Sequence, residues 1–264
     1  MKLIQVLCVV LTELSVGSLL MACLLPPREI RASFFTFISL LCALSAAVAL
    51  ALSKWILLAA WMDVCYLGLT VVGATAAFGA FRLEKPNLGR LLLLVSGLLG
   101  FVPGLLPLAQ HNLTSSGVVT TAPGLFDAGV ISGTLLLGAT NVAMILGHWY
   151  LLMRRLSFVY LLRFSQIVLV ALGLRIVVVF GTLLMLGNFD ADLARTFIPS
   201  LWSIHGNLFF FLMRLLWGLA LPMVLGLLVL QCARQKSNQS ATGMLYLMEV
   251  SVLFGEMFAA YLLI

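Results

Sequence analysis

Six ionisable side chains, Glu13, Asp63, Arg175, Arg214, Glu249 and Glu256, lie deep inside apolar stretches of this chain. Carboxylates and guanidinium groups in such places can pair with one another, bind a charged ligand or pass protons. Arginine keeps its charge in lipid, so Arg175 and Arg214 are expected to face carboxylates, with Glu13, Glu249 and Glu256 as candidate partners. Four acids against two arginines leave carboxyl groups in excess. An acid without a cation beside it can carry protons. Glu249 and Glu256 are seven residues apart, hence nearly on one helical face and about 10 Å apart in height. The set is expected to form a polar path through the molecule, and the plain alternative is a set of fixed ion pairs that hold helices together.

The histidines offer a second chemistry. His205, in Trp202-Ser203-Ile204-His205-Gly206-Asn207, falls near the outer end of an apolar segment, and Gly147-His148-Trp149-Tyr150 falls near the opposite end. A neutral imidazole with Asp63, Trp202 and Asn207 near it matches what a quinol head group needs: an acceptor for a hydroxyl proton and aromatic walls for the ring. The bland reading of both histidines is an interfacial residue in an aromatic belt. His148 and His205 are the only candidate haem ligands at membrane depth. Two axial histidines at one depth are needed for a low-spin haem b, and these two are expected at opposite ends, so haem is not expected.

What must position these residues is a set of membrane helices. The 264 residues are 63% hydrophobic and 9% charged, and a crossing helix takes about 20 apolar residues. Eight spans are expected, near 3–25, 32–52, 55–81, 90–110, 126–152, 158–187, 199–231 and 241–264. The Thr-, Ser-, Gly- and Pro-rich stretch at 111–126 divides them into a first four-helix bundle (1–110) and a second (127–264). A weak echo of Thr12-Glu13 in Thr140-Asn141 raises the idea of a parallel repeat.

Basic residues set the orientation. Arg28, Arg31, Arg82, Lys85, Arg90, Arg154, Arg155, Arg163, Arg234 and Lys236 flank connections 1–2, 3–4, 5–6 and 7–8, while the other side carries Lys2, Lys54 and Arg195. Basic loops stay on the cytoplasmic side, so both termini are expected outside, on the periplasmic face of a prokaryotic inner membrane. The formal charge of +6 is therefore an orientation signal and gives no reason to invoke nucleic acid.

The five cysteines have no C-x-x-C spacing, so neither a disulfide framework nor a zinc site is expected. The first 25 residues look like a signal sequence ending in Leu20-Met21-Ala22-Cys23, but Glu13 interrupts the apolar core, and the segment is read as a retained span. Small residues from Gly68 to Ala80 allow close helix packing. Pro103 and Pro222 fall inside spans and should each free a backbone carbonyl about one turn earlier.

Two stretches carry a family resemblance. The run Glu13-Leu14-Ser15-Val16-Gly17, followed by a short basic turn, resembles the first hairpin of the polysulfide reductase/NrfD-type membrane subunits and the related dimethyl-sulfoxide reductase anchors. Phe254-Gly255-Glu256 resembles the Gly-Glu pair near the end of those anchors. The resemblance covers about a fifth of the residues. It implies a subunit without its own metal centres that exchanges electrons between a membrane quinone (menaquinone or ubiquinone) and an iron–sulfur or cytochrome partner. It supports Glu13 and Glu256 as interior polar positions; His205 and Asp63 rest on depth alone.

The expectation is thus a quinol-interacting membrane subunit of a respiratory or electron-transfer complex, with His205, Asp63, Trp202 and Asn207 at the head group. Glu13, Arg175, Arg214, Glu249 and Glu256 would form the proton path. The rivals are a proton-coupled secondary transporter and a purely structural anchor.

Overall fold

Lipid offers a backbone no hydrogen-bond partners, so each long apolar segment closes on itself as a helix. A computed structural model describes residues 2–27, 29–55, 61–101, 105, 123–152, 158–189 and 207–263. In chain order these form α1 (Lys2–Ala22), α2 (Ala32–Trp55), α3 (Trp61–Arg82), α4 (Pro86–Gly100), α5 (Pro123–Leu152) and α6 (Val159–Phe189). Then come α7 (Asn207–Leu215), a π turn at Leu216–Ala220, α8 (Leu221–Arg234) and α9 (Asn238–Leu263). α7, the π turn and α8 make one continuous rod. Among the described residues seven segments are long and apolar enough to cross a membrane and α4 is a shorter apolar helix. The chain is an all-α multi-pass membrane protein of about eight helices.

Within residues 2–101, α1 packs on α2, α2 on α3, α3 on α4, and α4 returns to α1. Helices α5, α6, α8 and α9 close a second circuit in the same way, with α7 seated on α9. The circuits meet where α1 packs along α5 and touches α9. α5 is the central helix, with 78% of its span window buried against 28% for α6. A helix hydrophobic all round is buried when its neighbours surround it; the apolar outer faces of α3, α4 and α6 are left for lipid.

The α1–α5 contact is made by glycine. A Cβ on Gly17 would lie 2.1 Å from the Thr134 carbonyl oxygen, and one on Gly138 would lie 2.2 Å from the Gly17 carbonyl carbon. Backbones this close gain dispersion contacts that side chains would forbid, which is how helices associate where lipid is as apolar as the helix surface. Just below, Asn141 Nδ2 donates to Ser18 Oγ at 2.7 Å.

Two connections at the basic end, α3–α4 and α8–α9, are short and share one design. Glu84 and Lys236 take left-handed φ values of 55° and 58°. Lys85 N then donates back to the Ala80 carbonyl and Ser237 N to the Cys232 carbonyl, both at 2.9 Å. This is the helix-ending turn that caps orphan carbonyls with a left-handed residue. Pro86 at the start of α4 needs no N–H partner, so α4 begins four residues before the expected 90. Pro123 likewise opens α5 three residues before the expected 126. The third span, expected from 55, has α3 starting at Trp61, with 56–60 outside the described residues. Most of the expected 111–126 connection, Pro103, and the 199–206 start of the seventh span also lie outside them.

Candidate functional site: a charged cluster between the two halves

α5 presents Gly129, Ser132, Gly133, Thr140 and Gly147 on one face, and α9 presents Glu256, Glu249 and Thr242 at heptad spacing on the face that meets it. The helices run antiparallel, so the stripes pair step by step. A Cβ on Gly133 would lie 2.8 Å from Glu256 Oε2, the Thr140 hydroxyl faces Glu249, and a Cβ on Gly147 would lie 3.2 Å from Thr242 Oγ1. A seven-residue repeat holds one seam over several turns. Here the seam alternates polar side chains on α9 with small or hydroxyl residues on α5.

The charges gather at the Gly133–Glu256 step. Arg175, from the centre of α6, makes an ion pair through Nη2 with Glu256 Oε2. Its Nη1 donates to the Gly129 carbonyl and, at 3.0 Å, to Ser132 Oγ. Both residues of the pair are about 95% buried. Gly133 has no side chain, and the ion pair occupies the space that a Cβ would fill. Glu13 of α1, also buried, is within electrostatic reach of Glu256 and Arg175. Arg214 of α7, half-buried, is within reach of the same two groups. Four of the six singled-out residues thus meet at the junction of α1, α5, α6, α7 and α9. Of the three acids offered as arginine partners, Glu256 is the one that pairs with Arg175.

Glu249 lies apart from this knot. It is buried, and its Oε2 has no hydrogen-bond partner among the described residues. It sits about two turns from Glu256 toward the basic end. Asn141–Ser18 and then His148–Tyr246, at 3.1 Å between Nδ1 and the phenol, follow in that direction. Polar groups therefore occur at successive levels along α1, α5 and α9.

The run Gly147-His148-Trp149-Tyr150 ties down the basic end. Gly147 admits Thr242, His148 meets Tyr246, Trp149 lies edge-on to Phe34 at 5.7 Å, and the Tyr150 hydroxyl accepts from Leu161 N–H at 3.3 Å. His148 is exposed at the bundle surface, which fits the interfacial reading of this residue.

The α7–α8 rod bends its rules beside the cluster. In the π turn Leu221 N–H donates five residues back, to the Leu216 carbonyl. The same register would send residue 222 to the Trp217 carbonyl, but Pro222 has no N–H to give. Ser251 Oγ of α9 donates to that carbonyl instead, at 2.6 Å. The expected freed carbonyl is there, one residue off the α-helical position because the turn is wide. Gly218 in the turn and Gly255 on α9 touch backbone to backbone, a Cβ on Gly255 falling 2.2 Å from the Gly218 Cα.

The expected head-group residues fare differently. Asp63 and Asn207 open α3 and α7, with side chains outside the described residues; His205, Trp202 and His111 lie outside them altogether. Among the described residues no group of three or more His, Cys, Asp and Glu could hold a metal ion. What the sequence reading missed is the α5 half of the seam. Its signal was the seven-residue spacing of Gly133, Thr140 and Gly147, which matches that of Glu256, Glu249 and Thr242. No family model, curated protein or solved structure matches this chain.

Proposed function

We propose that this chain is a quinol-interacting membrane subunit of an electron-transfer complex, in which interior acids move the protons of quinone chemistry. The observation that carries the reading is the cluster of Glu13, Arg175, Arg214 and Glu256 where the two helix circuits join, with Glu249 continuing beyond it. Three acids against two arginines exceed what helix gluing requires, and Glu249 lies at a separate level of the path. A quinol that becomes a quinone gives up two electrons and two protons. The electrons would pass to an iron–sulfur or cytochrome partner and the protons to these acids. The likeness of Glu13–Gly17 and Phe254–Glu256 to the polysulfide reductase/NrfD-type subunits supports the same role. The basic turns point to a prokaryotic inner membrane with both termini on the periplasmic side.

Two measurements test this. Mass spectrometry of the gently solubilised complex purified through this chain should recover a redox partner and bound menaquinone or ubiquinone. A lone protein or homo-oligomer without quinone would favour a proton-coupled transporter instead. Glu256→Gln should lower quinol-linked turnover at least tenfold while the complex still assembles, because Glu13 remains to face Arg175. Undiminished turnover would remove Glu256 from the path.

A further inference from the structure

α7 and α9 meet along a ladder of aromatic rings. Phe210 stands 4.5 Å from Tyr261 and 6.0 Å from Phe258, Phe258 lies 6.4 Å from Phe254, and Trp217 meets Phe254 at 5.9 Å. Along α7 and into the π turn, Phe210, Arg214 and Trp217 are spaced i, i+4 and i+7, a single stripe. Arg214 is therefore set between two rungs, on the border between the rings and the charged cluster. Among the described residues no carboxylate lies within ion-pair distance of Arg214. The ladder has an open edge as well, with Phe254 45% exposed on the lipid side.

We propose that Arg214 and this α7–α9 ladder bind the head group of the quinone. The inference rests on the quinol reading above and gives the head group a place in the second helix circuit, on residues other than His205 and Asp63. A flat ring bearing a carbonyl oxygen meets both halves of the site. Its face lies on the aromatic side chains, and its oxygen accepts from the planar guanidinium. A fatty acid or a lipid phosphate would use the arginine and leave the rings idle. Glu13 and Glu256 stand on the cluster side of the guanidinium, where protons leaving the ring can be received. The isoprenoid tail would run out past Phe254 into lipid.

The test is photolabelling of the intact solubilised complex with an azido-quinone, with peptides mapped by mass spectrometry. Label on the segments 207–217 and 254–261 that excess unlabelled quinone displaces supports the site. Arg214→Gln should reduce that label at least tenfold, with Arg214→Lys intermediate. The wild-type map stands even if Arg214→Gln does not assemble, and Phe258→Leu, at a half-buried position, supplies a second variant with an expected several-fold loss. Displaceable label confined to Asp63 and residues 202–206 overturns this placement and keeps the quinol reading. No displaceable label anywhere overturns both.

Discussion

Arg175 is the residue on which the interior depends, because its charge cannot be shed and its three acceptors, Gly129, Ser132 and Glu256, are all inside the protein. Removing one partner of a buried pair leaves a charge without compensation, at a cost of about 3–5 kcal/mol. Glu13 changes that arithmetic, since it lies within electrostatic reach of the same guanidinium. Glu256→Gln alone should therefore leave a monodisperse protein on size exclusion, whereas the Glu13→Gln/Glu256→Gln double variant should lose it. A stable double variant would mean that Arg175 finds its counter-charge elsewhere. Gly133→Ala should weaken the pair from the other side, by about 1–3 kcal/mol, read as a drop in thermal midpoint in detergent. The five charges that the structure describes here, Glu13, Arg175, Arg214, Glu249 and Glu256, were legible one by one in the sequence, because ionisable groups stand out in an apolar run. Their pairing was not, since which acid reaches Arg175 depends on how α6 and α9 rotate about their axes, and composition leaves those rotations open.

At the scale of elements, the crossings are set by the absence of side chains. Gly17 against Gly138 and Gly218 against Gly255 bring backbones into contact that a single methyl group would prevent. Gly138→Ala should cost about 3 kcal/mol or more, since the atoms it meets are backbone and cannot swing aside. Gly68→Ala and Gly79→Ala, which meet nothing within 4 Å, should leave the thermal midpoint unchanged. The small residues of α3 divide in the same way: Gly73, Ala74, Ala77 and Ala80 pack closely as expected, Gly68 and Gly79 face open space, and single glycines in α1, α5 and α9 make the backbone-to-backbone contacts. Ser251→Ala should leave the Trp217 carbonyl without its donor and cost about 0.6–2 kcal/mol. A larger loss would show that the hydroxyl also holds the π turn in register, and with it the reach of Arg214 toward Glu256.

For the molecule as a whole, span number and approximate boundaries were legible because hydropathy and basic turns repeat on the length scale of the bilayer. What escaped was the order of importance. α5 has the least remarkable charge pattern of the long helices, yet it is the axis against which both circuits pack. The orientation read from the basic turns gives a direct check. A cysteine placed at exposed Leu83, in the α3–α4 turn, should react with a membrane-impermeant maleimide only after the membrane is opened, and one at Lys2 should react in intact cells. The reverse pattern would invert the direction in which protons leave the cluster.

The glycine crossing also imposes a timetable. Ser18 and Asn141 are separated by 123 residues of chain. At a synthesis rate of about 5–20 residues per second, α1 waits in the membrane for roughly 6–25 s before α5 emerges to cover it. During that interval Glu13 and the bare backbone at Gly17 lack the helix they are shaped for. The newborn first half is then a natural client for an insertion chaperone and, if translation stalls, for a membrane protease.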